Sequence, residues 1–112
     1  MDYYAIIEKA RKTGKIDKGT NEVTKAIERG VAKAVFYAGD VNPKEIVAHL
    51  SAIANDKGIP ALEVDSKQKL GIAAGLPVST SSIAIIDAGD ADKDVSGLKS
   101  DGGKTDGEDS EE

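Results

Sequence analysis

The chain of 112 residues contains no cysteine and a single histidine, His49. Without thiols neither a disulfide framework nor a thiolate metal site can be built. One imidazole argues against a histidine-rich metal site and against a Ser-His-Asp relay. No apolar run is long enough to cross a bilayer, and Asp2 argues against a signal peptide, so the expectation is a soluble, cytoplasmic protein. The length suits one domain with a small core. What is also scarce is net positive charge, since the chain stands at −5. Residues 87–112 carry ten Asp/Glu and three Lys, whereas residues 1–86 carry twelve Lys/Arg and ten Asp/Glu. The balance is therefore that of a mildly basic body with an acidic tail, and nucleic acid stays open as a partner. The tail is poor in large apolar residues and rich in Gly, Asp and Ser. It is expected to be disordered, serving solubility or masking the basic body until RNA displaces it.

The body is organised around Lys18-Gly19-Thr20-Asn21-Glu22-Val23-Thr24-Lys25-Ala26-Ile27-Glu28-Arg29-Gly30. Val23, Ala26 and Ile27 form one apolar stripe at helical spacing, with Asn21, Glu22, Lys25 and Arg29 opposite. Thr20 or Asn21 is expected to cap this helix and Gly30 to end it. A helix start offers free N–H groups and a positive dipole end to phosphate. An amide, a carboxylate and an amine close to that start can read purine edges, the carboxylate accepting and the lysine donating. The plainer reading makes Glu22 and Lys25 an ion pair on a wet face, worth a few tenths of a kcal/mol.

The remaining pattern alternates helix and strand. Asp2 caps a helix with Tyr3, Ile6, Ile7 and Ala10 inward, closed by Gly14; an extended piece at Lys15–Asp17 follows. Ala32–Ala38 reads as a central strand, and Asn42-Pro43-Lys44-Glu45 as a helix start with Asn42 as cap and Pro43 first in the helix. Ile46, Val47, Leu50, Ile53 and Ala54 give that helix its apolar face. Ala61–Val64 is a second strand, Ser66 caps a short helix ended by Gly75, and Ile83–Ile86 is a strand buried on both faces. Such alternation predicts an α/β fold, a three-layer α/β/α sandwich with a small mixed sheet, over residues 1–88, with 89–112 as the tail. Three loops can converge at one end of it: the turn before the second helix, the loop after the Phe36–Ala38 strand, and residues 75–81. In the last, Leu76 and Val78 either fold back on the core or offer a platform for an unpaired base. Gly71-Ile72-Ala73-Ala74-Gly75 lies within a helix, so close packing explains it better than a dinucleotide fingerprint. An acid/base set of Asp40, Asp65 and His49 lacks a phosphate loop, metal cluster or activated nucleophile, and no enzyme is expected.

The stretch at 18–25 resembles the RNA-binding signature of the archaeal ribosomal protein family L-seven-Ae. The likeness continues through Ala26–Gly30, Asp40–Pro43, Ile46–Leu50, Lys57–Pro60, Ser66-Lys67, Leu70-Gly71, Ala74–Val78 and Ile83–Asp87. This resemblance implies binding of kink-turn RNA, a sharp bend flanked by tandem G·A pairs, in ribosomal RNA, box C/D and box H/ACA guide RNAs and ribonuclease P RNA. The partners it implies are those RNAs and other ribonucleoprotein proteins, with no cofactor, metal, membrane or small-molecule substrate. Carried over by position, Gly19, Thr20, Asn21, Glu22 and Lys25 contact the G·A pairs and nearby backbone. Leu76, Pro77 and Val78 support a flipped-out nucleotide, with Lys18, Lys33 and Lys67 as phosphate partners. Two departures stand out: Gly39 replaces the usual Glu before Asp40, and the tail lacks the periodicity of the family's usual last helix. The main rival from another class is a small nucleotide-binding or hydrolytic α/β enzyme, which the missing phosphate loop and nucleophile disfavour. A third reading is a protein–protein adaptor of the same fold, in which 18–25 is only a capped helix.

Overall fold

The computed structural model describes residues 2–98. Asp2 accepts the backbone N–H groups of Tyr4 and Ala5 and starts α1, Tyr3–Thr13, whose Ile6, Ile7 and Ala10 turn inward. Then follow β1 (Lys15–Lys18), α2 (Thr20–Glu28), β2 (Ala34–Ala38), α3 (Glu45–Asp56), β3 (Ala61–Val64), α4 (Lys67–Ala73) and β4 (Ser82–Asp87). A single 3-10 turn at Gly89–Ala91 leads into α5, Asp92–Ser96. The strands form one mixed sheet in the order β1-β4-β2-β3. β4 runs antiparallel to both β1 and β2, and only β2 and β3, joined through α3, are parallel.

α2 and α3 pack together on one face of the sheet, and α1 with α4 on the other. This is the expected three-layer sandwich. A sheet covered on both sides needs central strands apolar at every position. Val35, Phe36, Ile83, Ala84 and Ile85 are accordingly shut off from solvent. Phe36 also meets the ring of Tyr3 at 5.4 Å between centroids. α2 ends as the sequence suggests, with Gly30 and Val31 donating back to the carbonyls of Ile27 and Ala26.

Three expectations give way. Neither Thr20 nor Asn21 caps α2: Gly19 is the capping residue and no side chain bonds the first-turn N–H groups. Thr20 is drawn off because its hydroxyl bonds Ser81 instead. Asn42 does not cap α3 and Pro43 is not within it. The helix begins at Glu45, its first turn closing on the carbonyls of Pro43 and Lys44.

The third correction moves the domain boundary. The start of the acidic stretch folds back onto α1, and Ala91, Val95 and Leu98 join the core. Their spacing of four and then three residues is one helix face, hidden in the sequence by the acids between them. Asp92 and Asp94 lie in the first turn of α5, where a helix dipole favours carboxylates. Asp94 also pairs with Lys9 at 3.5 Å, and Asp90 receives the Thr13 hydroxyl as partner for its N–H. The packed domain thus reaches Leu98, and a last helix, though short, covers that face. The remainder of the expected disordered tail, 99–112, lies outside the described residues.

The shift also alters the charge partition. Residues 1–98 carry thirteen Lys/Arg and fourteen Asp/Glu. The folded body is close to neutral rather than basic, so attraction for a polyanion has to come from where its lysines stand.

Candidate nucleic-acid interface

At one end of the sheet the three loops do meet, and backbone hydrogen bonds tie them together. β1 finishes at Lys18, opposite Ile83 of β4. Gly19 then turns the chain with φ +91°, a conformation that residues with a side chain rarely adopt. Its N–H donates to the Ser82 carbonyl at 3.0 Å, and its carbonyl receives Val23 N–H as the first bond of α2. Ser81 sits alongside: its hydroxyl shares a 2.7 Å hydrogen bond with Thr20, and its carbonyl accepts Ala38 N–H at 2.9 Å. From the other side the Asp40 carboxylate accepts Lys67 N–H at 2.8 Å, and the Lys67 carbonyl accepts Thr80 N–H at 3.1 Å. The ends of all four strands are therefore in one laced surface.

On that surface the uncapped start of α2 exposes Asn21, Glu22 and Lys25. Glu22 Oε2 and Lys25 Nζ are 3.8 Å apart and more than half exposed. An ion pair so wet is worth at most a few tenths of a kcal/mol. The plainer reading is thus present in the structure, yet the pair can open at little cost and leave both groups free for a ligand.

The 76–81 loop supplies the apolar part. Leu76 is half-buried against the core, while Pro77 and Val78 are exposed, Val78 to 65%. Leu76 therefore folds back on the core, and Val78 is left clear of it. Its height is set by Gly71 in α4. A Cβ there would overlap the Val78 carbonyl oxygen and stand 3.0 Å from Ser79 Cα, so only glycine lets the loop settle on the helix. Close packing is indeed what this glycine serves.

Lys67 belongs to the cluster through its backbone, and its side chain is exposed. Lys33 does not belong to it. Its N–H donates to the Ile85 carbonyl ahead of β2, five strand residues, or roughly 16 Å, from Ala38. Gly39 leaves room that the Glu63 carboxylate occupies, since a Cβ on Gly39 would overlap it. The residues that sequence reasoning missed are Thr80, Ser81 and Ser82. Their only signal is the polar run Ser79–Ser82 ahead of an apolar strand, which reads equally well as an unremarkable loop. The Ser82 hydroxyl is fully buried without a hydrogen-bond partner.

The imagined acid/base residues are dispersed. His49 faces Thr24 on α2, with Nε2 at 3.3 Å from its hydroxyl. Asp65 accepts the Tyr4 hydroxyl at 2.5 Å and pairs with Lys69 at 3.6 Å. Burial, then the hydrogen bond to Asp65, pushes the Tyr4 phenol up to about 12. The same bond holds the Asp65 carboxyl below its ordinary value. Asp40 is bound to the backbone. Among the described residues no three His, Cys, Asp or Glu side chains gather to hold a metal ion, and no helix is long and apolar enough to cross a membrane.

The profile of the ribosomal protein L7Ae/L30e/S12e/Gadd45 family matches residues 1–95. The large ribosomal subunit protein eL8 of Haloquadratum walsbyi is 53% identical over 94 residues, covering 84% of this chain and 78% of that one. Among solved structures, the Giardia lamblia 15.5kD RNA binding protein superposes with a TM-score of 0.77 at 31% identity, covering 84% of this chain and 78% of its own. The family and these relatives are named for ribosomal and RNA-binding roles, none for catalysis.

Proposed function

Because the chain belongs to the ribosomal protein L7Ae/L30e/S12e/Gadd45 family, we propose that it binds RNA and stabilises kink-turns through the surface around the start of α2. The targets in this reading are kink-turns of ribosomal RNA, of box C/D and box H/ACA guide RNAs and of ribonuclease P RNA. It works in the cytoplasm beside other ribonucleoprotein proteins. One observation carries it: the uncapped first turn of α2 displays Asn21, Glu22 and Lys25 beside a loop that holds Val78 out to solvent.

Each part has a physical task. Free N–H groups at the helix start suit a phosphate. Glu22 accepts from a purine N–H edge while Lys25 donates to purine acceptors or backbone oxygen. The exposed Pro77 and Val78 offer an apolar face to a base that has left its stack. A protein touching only the bent RNA shifts the population toward it by its differential affinity.

The test is affinity for a kink-turn hairpin against the same hairpin with its G·A pairs replaced by Watson–Crick pairs. The parent is expected to prefer the first strongly. Glu22→Ala and Lys25→Ala should each lose about 1–3 kcal/mol of that preference with folding nearly intact. Equal affinity of the parent for both RNAs sinks the reading and leaves the adaptor of the same fold.

A further inference from the structure

The carry-over of RNA contacts by position includes Thr20, yet its hydroxyl is already engaged inside the protein. It shares a 2.7 Å hydrogen bond with Ser81, 61 residues away in the chain, and both side chains are partly buried. Thr20 opens α2, and Ser81 is the last residue of the loop before β4. Ser81 also holds β2 through its carbonyl and Ala38 N–H. No other side-chain hydrogen bond among the described residues joins the start of α2 to this loop.

We propose that Ser81 is a positioning residue: its bond to Thr20 clamps the polar start of α2 and the Leu76–Val78 platform into one surface of fixed geometry. Thr20 then serves RNA binding through Ser81 rather than by touching RNA. The inference rests on the reading of this surface as an RNA site. Its logic is preorganisation. A kink-turn would be gripped at two places at once, by α2 at its purine pairs and by the loop at its protruding nucleotide. If the two grips drift independently, the second contact must bear an ordering cost on every encounter. Backbone bonds such as Gly19 N–H to the Ser82 carbonyl already limit that drift, and the hydroxyl bridge adds the side-chain tie that narrows it further before the RNA arrives.

The experiment uses the full chain with Ser81→Ala, Thr20→Val, the double variant, and the hydroxyl-keeping Ser81→Thr and Thr20→Ser. Each is measured against a kink-turn hairpin and against the same hairpin with its protruding nucleotide made abasic. Amide hydrogen exchange of residues 78–82 is followed in the free proteins. Either hydroxyl loss is expected to weaken binding about five-fold, the effect of one ordinary hydrogen bond, mostly through faster dissociation. The double variant should be within about two-fold of either single one, because both remove the same bond. Both hydroxyl-keeping variants should bind like the parent. On the abasic hairpin the loss should shrink toward none, and exchange at 78–82 should quicken in both hydroxyl-loss variants.

A Thr20→Val loss with Ser81→Ala binding like the parent overturns the proposal and makes Thr20 an RNA contact. Multiplying losses in the double variant, or unchanged exchange in both singles, overturn it as well. Should the parent fail to distinguish bent from straight RNA, the RNA reading falls separately, and the exchange data still decide whether the two segments are clamped.

Discussion

Replacing Gly71 by alanine sets two opposite effects against each other. In an exposed helix Gly→Ala gains about 1 kcal/mol, because alanine has less backbone freedom to lose. Here the new Cβ would overlap the Val78 carbonyl oxygen and lie 3.0 and 3.1 Å from Ser79 Cα and Val78 C. Ordinary carbon contacts lie at ~3.5–4.0 Å, so the loop has to back away by something on the order of 1 Å. Overpacking of that kind costs about 1–3 kcal/mol. The neighbours that must yield are backbone atoms, not the end of a flexible side chain, so the upper part of the range applies. The net expectation is a loss of about 1–2 kcal/mol after the helix gain. For a domain of this size each kcal/mol lowers Tm by about 4–8 °C. Urea unfolding should show a lower midpoint at unchanged slope, while Gln68→Ala, exposed on the same helix, should be close to neutral. Hairpin affinity should fall further than stability, since the displaced segment carries Pro77 and Val78. A Gly71→Ala protein that is more stable than the parent and binds hairpin equally well refutes the argument that this glycine sets the loop.

One further substitution and two truncations probe the packing around α1, on the same side of the sheet as α4. Tyr4→Phe removes the hydroxyl that donates to Asp65 and accepts Ser66 N–H, at a cost of about 1 kcal/mol near neutrality. Because the phenol is raised from 10.0 to about 12, its contribution is full below pH 10 and disappears as pH rises through about 12. The carboxyl of Asp65 is depressed, so its contribution is present above the ordinary carboxylate range and lost as pH falls through its lowered value. Stability followed against pH should therefore show both limbs shallower in Tyr4→Phe; parallel curves contradict the pairing. Truncation after Ala88 removes Ala91, Val95 and Leu98 from the core and should cost several kcal/mol, since a single buried Leu→Ala costs about 2–5. Truncation after Leu98 should leave the thermal midpoint unchanged, and equal midpoints for the two truncations contradict the boundary.

How much could be read without coordinates depended on how local the determining physics was. β3, α4 and the Gly30 stop are written in neighbouring residues, and they stand where the pattern placed them. α3 starts later than its local signal, because Asn42-Pro43 satisfies every local rule for a cap, yet the first turn closes on Pro43 and Lys44 carbonyls. Residues 91–98 hide their helix for a different reason. Composition averages over a segment, and three apolar residues on one face are enough to dock a five-residue helix however acidic its surroundings. Ser81 was illegible in a stronger sense, because its meaning lies in Thr20, 61 residues earlier, and only the closure of the sheet brings them together. The side chains proposed to meet RNA stand together at one helix start and are legible locally, whereas Ser81 depends on a contact far away in the chain.

The near-neutral charge of residues 1–98 leads to a last prediction, about salt. A strongly basic domain would gather RNA by its overall field, and its affinity would fall steeply as ions screen it. Here the positive groups that face the site are local: Lys18, Lys25 and Lys67, all exposed. If each meets one phosphate, three counterions are released, and the plot of log affinity against log salt should have a slope of roughly −2 to −3. Lys67→Ala should make that slope shallower by about one, with the preference for G·A pairs retained, because a phosphate contact carries no sequence information. Lys33→Ala should leave the slope unchanged, since its residue stands roughly 16 Å along β2 from the laced loops. A slope much steeper than −3 in the parent, or an equal effect of both lysines, would mean that the RNA runs down the length of α2 instead of ending at its first turn. In that case the contact surface includes Arg29 and Lys33, and the start of α2 is only its upper half.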